Sequence, residues 1–232
     1  MKLAIMQPYF LPYIGYFQLI GAVDTFIVYD NIKYTKKGWI NRNRYLRDGT
    51  DEMFSLALRK DPDSLPISGR ALASEFSRDK LLNKFRAAYA RAPQFAPTMA
   101  VLEDIVHCAE SNLFDYLHNS IVKVCKHLEL KTQILVSSEI NIDHSLKGQE
   151  KVLALCQTMG ARTYVNAIGG TELYARADFA SLGVDLKFIQ SKPFEYAQFD
   201  APFVPWLSIV DVMMFNTPEK TCAGVHNGYQ LV

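Results

Sequence analysis

The sequence predicts an α/β fold in which a mostly parallel sheet is interrupted by a helical insertion. Three observations carry that expectation. Short apolar runs rich in β-branched and aromatic residues alternate with amphipathic segments near both ends of the chain. The opening residues already hold a strand, a helix and a second strand, the smallest right-handed crossover unit. Between the two alternating regions the periodicity turns helical throughout.

Leu3 to Met6 is a short buried strand, and Thr25 to Tyr29 a second. Between them Tyr13 to Val23 places Ile14, Phe17, Leu19, Ile20 and Val23 on one helical face. Met53 to Leu58 reads as a third strand, and Lys60-Asp61-Pro62-Asp63 marks irregular chain after it. Phe76, Leu81, Phe85 and Tyr89 then recur at helical spacing. Pro93 and Pro97 break the chain, Thr98 is placed to cap a second helix and Ser111 a third. This divides the chain into an α/β core of residues 1–70 and 131–232 and an insertion or lid of residues 71–130. Alternation resumes with a strand at Gln133 to Val136, a helix at Gly148 to Met159 and a strand at Thr163 to Asn166. A helix at Thr171 to Leu182 and a strand at Val184 to Ile189 follow, with Gly160 and Gly183 ending the helices. A tail rich in Pro and aromatics wraps the body before a closing helix, Ser208 to Phe215.

Composition agrees with a soluble globular chain. Of 232 residues, 49% are hydrophobic and 21% charged, which excludes a disordered or collagenous protein. No apolar run is long enough to span a bilayer, and the apolar start is cut short by Gln7 and Pro8, unlike a signal peptide. Cys108, Cys125, Cys156 and Cys222 lie far apart with no C-x-x-C pair, so a reducing cytoplasm is the expected location.

Charge is unevenly placed. Lys33, Lys36, Lys37, Arg42, Arg44 and Arg47 follow one another with no acid between them, although the formal net charge is only +1. Tyr34, Trp39, Asn41, Asn43 and Tyr45 are interleaved with them. Rings, amides and guanidinium forks together suit a nucleotide or sugar phosphate; a solvated loop of ordinary surface charge is the other reading. The segment is too short for duplex DNA, and no nucleic-acid partner is expected. In a parallel sheet, ligands bind beyond the carboxyl ends of the strands. Gln7 and the turn through Tyr9, Tyr13, Gly15 and Tyr16 fall there, as do Asp30 and the Gly169-Gly170-Thr171 turn. Asp30 could hold a hydroxyl or an amine, or could pair with Lys33. The five histidines have no metal-ligand spacing, so no metal site is expected.

The chain resembles the WbqC-like family, found among bacterial genes for O-antigen and other surface polysaccharides. The resemblance rests on Met6-Gln7-Pro8-Tyr9-Phe10-Leu11-Pro12-Tyr13-Ile14-Gly15-Tyr16-Phe17, on Trp39-Ile40-Asn41-Arg42-Asn43, and on Leu207-Ser208-Ile209-Val210-Asp211. It is also distantly similar to the front of HIGH-motif nucleotidyltransferases, which implies a Rossmann-like scaffold. Tyr13 and Tyr16 stand where that motif has histidines, and a tyrosine is neutral at pH 7 and supplies no cation.

These resemblances imply a cytoplasmic transferase of surface-polysaccharide biosynthesis that acts on a nucleotide-activated amino sugar by acyl or aminoacyl transfer. A thioester or an adenylate would be the donor, and an acyl-carrier protein a partner. No permanently bound cofactor is expected. Lys33, Lys36, Arg42 and Arg44 would bind phosphate, Trp39 or Tyr9 would stack on a ring, and Asp30 or Asp211 would be the base. The alternatives are nucleotidyl or adenylyl transfer with ATP and magnesium, and a non-catalytic partner of a glycan-assembly complex.

Overall fold

The computed structural model describes residues 1–62 and 64–232, so Asp63 in the irregular stretch lies outside the described residues. A six-stranded sheet organises the chain. Its strands are β1 (Lys2–Met6), β2 (Thr25–Val28), β5 (Gln133–Val136), β6 (Thr163–Ala167), β7 (Asp185–Ser191) and β8 (Tyr229–Leu231), in the order β5-β2-β1-β6-β7-β8. Every neighbouring pair is parallel except β7–β8. This is the mostly parallel, Rossmann-like α/β sheet that the alternating pattern predicts.

Both faces of the sheet are covered, as a parallel sheet requires. Ala4 of β1 joins one core with Phe17 and Ile20 of α1 (Ile14–Gly21). Leu3 and Ile5 join the other, with Val152 and Leu155 of α5 (Gly148–Thr158) and Phe179 of α6 (Arg176–Ser181). The chain leaves β1 toward β2 and leaves β6 toward β7, in opposite directions across the sheet. A crevice opens where the two directions part, beyond the carboxyl ends of β1 and β6. Gly160 and Gly183, at φ +63 and +71, end α5 and α6 as expected, because a side chain is strained in that conformation.

A second sheet is a hairpin of β3 (Arg42–Arg47) and β4 (Thr50–Ser55). The basic segment therefore ends in a strand, and the expected third strand at Met53 pairs with it rather than with the main sheet. Helices α2 (Arg78–Tyr89), α3 (Phe95–Val106) and α4 (Leu113–His127) share one continuous core with α1 and this hairpin. Two expected caps are corrected. Pro97 lies in the first turn of α3, where a missing N–H costs no helical bond, and the Thr98 hydroxyl instead donates to the Met213 carbonyl at 2.8 Å. Asn112, not Ser111, caps α4 by accepting from the Phe114 and Asp115 N–H groups.

The closing region is richer than expected. After α7 (Ile209–Phe215), capped by Ser208, come α8 (Pro218–Asn227) and β8. The Gly169-Gly170-Thr171 turn is a short 3₁₀ segment rather than a helix start, and α6 begins only at Arg176. No helix among the described residues is long and apolar enough to cross a membrane.

Candidate functional site

The loop after β1 is fixed before it can form a site. Leu11 sits at φ +44, an uncommon conformation for a side chain, and its carbonyl accepts from Asn43 Nδ2 at 2.9 Å and Ser208 Oγ at 2.7 Å. The Phe10 N–H donates to the Ile40 carbonyl, and the Ile209 N–H to the Pro12 carbonyl. Hairpin and α7 thus clamp the Gln7–Tyr13 loop from both sides. The Gln-Pro-Tyr opening, the Trp-x-Asn-Arg-Asn block and the Leu-Ser-Ile segment meet at this one loop.

The clamp frames a cavity of about 370 Å³ in the crevice, between Met6 at the end of β1 and Ala167 at the end of β6. Tyr9, Tyr13, Gly15, Tyr16, Trp39 and Arg44 line it. The Tyr13 ring lies directly over Gly15, so close that a Cβ there would collide with it. Tyr13 occupies the N-cap position of α1 without capping it, and the first turn carries no acid. The positive end of the helix, with Tyr13 and Gly15 in the wall, therefore borders the cavity.

Arg44 is the cation of this wall. Its Cζ lies 5.7 Å from the Trp39 ring, Nη1 pairs with Asp51 at 3.1 Å and Nη2 donates to the Trp206 carbonyl at 3.3 Å. Its Nε is buried with no hydrogen-bond partner. Trp39 and Trp206 remain 43% and 61% exposed, an unusual state for two large rings beside a guanidinium. Burial raises the hydroxyl pKa of Tyr9, and that of Tyr16 well above its ordinary value, so both stay neutral donors. Tyr16 donates to the Gln7 carbonyl at 2.9 Å, and Tyr9 to Gln7 Oε1 at 3.3 Å.

Of the remaining expected site residues, Asn43 also lines the cavity and the others scatter. Gln7 accepts from the Tyr9 hydroxyl and is not in the cavity wall. Lys33 and Lys36 are exposed on the loop before the hairpin. Arg42 donates to the Gly38 carbonyl beside Trp39. Asn41 and Asn43 bond the framework: Asn41 accepts from Tyr34 and donates to the Leu56 carbonyl, while Asn43 holds Leu11 and the Arg44 N–H.

The two expected bases are not in the cavity wall. Asp30 is buried past the end of β2, where Ser137 Oγ and the Ser138 N–H donate to its Oδ1 at 2.7 and 3.0 Å. Asp211 is fully buried and accepts from Tyr89 at 2.9 Å and from Tyr196 and Gln198 at 2.6 Å each. Its carboxyl pKa is raised by burial, against the lowering effect of those three donors. Gln7, Asp30 and the arginines therefore do not line one cavity: the loop and Arg44 do, and each carboxylate is buried in a hydrogen-bond network of its own. Trp206 is the site residue that the sequence did not single out.

A family model described as the WbqC-like protein family matches residues 7–223. The chain belongs to the WbqC-like family. The match begins at Gln7, the first residue of the clamped loop. A relative from Mycobacterium tuberculosis, uncharacterized protein Rv1507c, is 27% identical over 224 residues, spanning 93% of each chain. No solved structure matches.

Proposed function

We propose that this WbqC-like protein is a transferase of surface-polysaccharide assembly that acylates, or aminoacylates, the amine of a nucleotide-activated sugar. One observation carries the reading: Arg44 and the uncapped start of α1 border the same crevice, between exposed aromatic rings. A diphosphate needs positive groups of that kind, and a base needs a ring such as Trp39 or Tyr9 to stack on. Membership of the WbqC-like family supports the pathway class, which is what the resemblance to that family implies.

The donor is a thioester, free or on a carrier protein. The apolar, ring-lined wall and the Arg44 charge both disfavour an ammonium, so the sugar amine is held neutral and nucleophilic. Its nitrogen attacks the thioester carbonyl carbon, and the N–C bond forms as the C–S bond breaks. The proton lost by nitrogen neutralises the departing thiolate, leaving an amide and a thiol. This balance needs no carboxylate in the wall. Nucleotidyl transfer with ATP and magnesium has less support, because Tyr16 directs its hydroxyl to the Gln7 carbonyl.

Isothermal titration calorimetry with dTDP-, UDP- and GDP-linked amino sugars tests the reading. Saturable binding of at least one, weakened at least about tenfold by Arg44→Ala, is expected. Absence of binding across the panel overturns it.

A further inference from the structure

A second cavity of about 330 Å³ begins where the first one ends. Tyr13 and Trp206 line both, and their rings meet edge to face with centroids 5.8 Å apart. The partition is one aromatic layer thick. Trp206 holds its place in it at φ +61, a backbone conformation that a bulky residue rarely adopts.

The far side of the partition is also largely apolar, but no arginine lines it. Phe194, Tyr196 and Phe203, from the chain after β7, face Ile14 and Leu207 across it. Phe194 is seated against Gly224 of α8, where a Cβ would come within 2.7 Å of its ring. A glycine inside a helix weakens it, and this one makes room for an aromatic cavity wall. Lys192 and Glu195 stand at the opening, one of each sign, so the entrance selects for neither charge.

We propose that the second cavity takes the apolar acyl group of the donor, so that Tyr13 and Trp206 form the seam where the acyl carbonyl meets the acceptor amine. The word donor rests on the transfer reading above, with N–C formation and C–S cleavage balanced as given there. The preference for an apolar chain rests on the cavity's own lining. Its volume suits a chain or ring of modest size.

The chain has two tryptophans, which makes the two cavities separately readable. Trp39 lines only the first, whereas Trp206 borders both. W39F therefore keeps the reporter of the seam, and W206F keeps a reporter of the first cavity alone. Each variant is titrated with octanoyl-N-acetylcysteamine, a neutral thioester, and separately with uridine diphosphate, while emission is recorded.

The thioester is expected to change W39F emission saturably and to leave W206F emission unaltered. Adding Phe203→Ala to W39F is expected to weaken the thioester by about tenfold without weakening uridine diphosphate. No saturable response in W39F, an equal response in both variants, or no effect of Phe203→Ala would overturn the proposal. If uridine diphosphate still changes W206F emission while the thioester fails, only this inference falls. If the thioester binds and none of the dTDP-, UDP- and GDP-linked sugars does, the nucleotide-sugar reading falls and the apolar site stands.

Discussion

Arg44 donates from Nη2 to the carbonyl of Trp206, 162 residues away in sequence, at 3.3 Å, and its guanidinium lies 5.7 Å from the Trp39 ring. One side chain therefore ties the hairpin to the segment before α7 and places positive charge between two exposed rings. Arg44→Ala is expected to weaken nucleoside-diphosphate binding by at least about tenfold. Arg44→Lys is expected to recover little of it, because an ammonium lacks the planar fork that reaches Asp51, Trp206 and a ligand together. Calorimetric titration of both variants measures this. Wild-type affinity in Arg44→Lys would show that only charge matters.

Gly15 makes a second, separable prediction. Alanine there forces the Tyr13 ring off the helix start, but that ring is 36% exposed and can swing into solvent. The methyl group also favours helix, by roughly 1 kcal/mol relative to glycine. Gly15→Ala should therefore melt close to wild type while losing most of its ligand affinity. A variant that fails to fold would show that Tyr13 is held more rigidly than this.

Asp211 tests whether a buried carboxylate is framework or machinery. Three donors converge on it, and Tyr89 also accepts from the Leu46 N–H at 2.9 Å, which links α7 to the hairpin. Asp211→Asn turns an NH₂ group toward at least one donor, a loss of about 2–4 kcal/mol. At this chain length that corresponds to a fall of roughly 5–15 °C in melting temperature. Nucleotide affinity of the folded fraction should be unchanged. Wild-type stability with turnover lost would restore Asp211 as a base.

Stability should also fall on mild acidification. His118 is partly buried, with its ring stacked against Phe114, and burial lowers its pKa although Asp115 and Glu139 pull it upward. Burial lowers that of His127 as well. At these two histidines the unfolded chain then binds protons more readily than the folded one below about pH 6.5. Asp211, whose pKa is raised, contributes in the opposite direction, but the histidines' contribution to stability is lost as pH falls through that region. Asp143 and Glu219, whose pKa values are lowered by hydrogen bonds, titrate below it. Urea midpoints at pH 7.5 and 5.5 should differ in the wild type and differ less in His118→Phe. Equal pH dependence in the two proteins would contradict this account.

Particular residues show where the sequence was readable. The runs around Leu3, Ile27, Leu135 and Val165 are apolar because their strands are covered on both faces, and that pattern needs no partner to be seen. The hairpin is masked by its own charge: Arg42, Arg44 and Arg47 obscure the alternation that buries Asn43 and Tyr45. A signal was present in Asp48-Gly49, both at positive φ and flanked by the paired Arg47 and Thr50, which is the geometry of a two-residue hairpin turn. The surroundings of Asp30 and Asp211 are not legible in the sequence, because their partners lie 13 to 122 residues away and only packing reveals them. Trp206 was hidden in the same way, since its exposure and its contact with Arg44 exist only in the folded chain.

Crystals soaked with dTDP-, UDP- and GDP-linked amino sugars measure the central claim most directly. The predicted electron density has a diphosphate between Arg44 and the start of α1, a base against Trp39 or Tyr9, and the sugar amine toward the Tyr13–Trp206 seam. Nucleotide density bound instead against Asp30 and Ser137, or an empty crevice at saturating ligand, would contradict it.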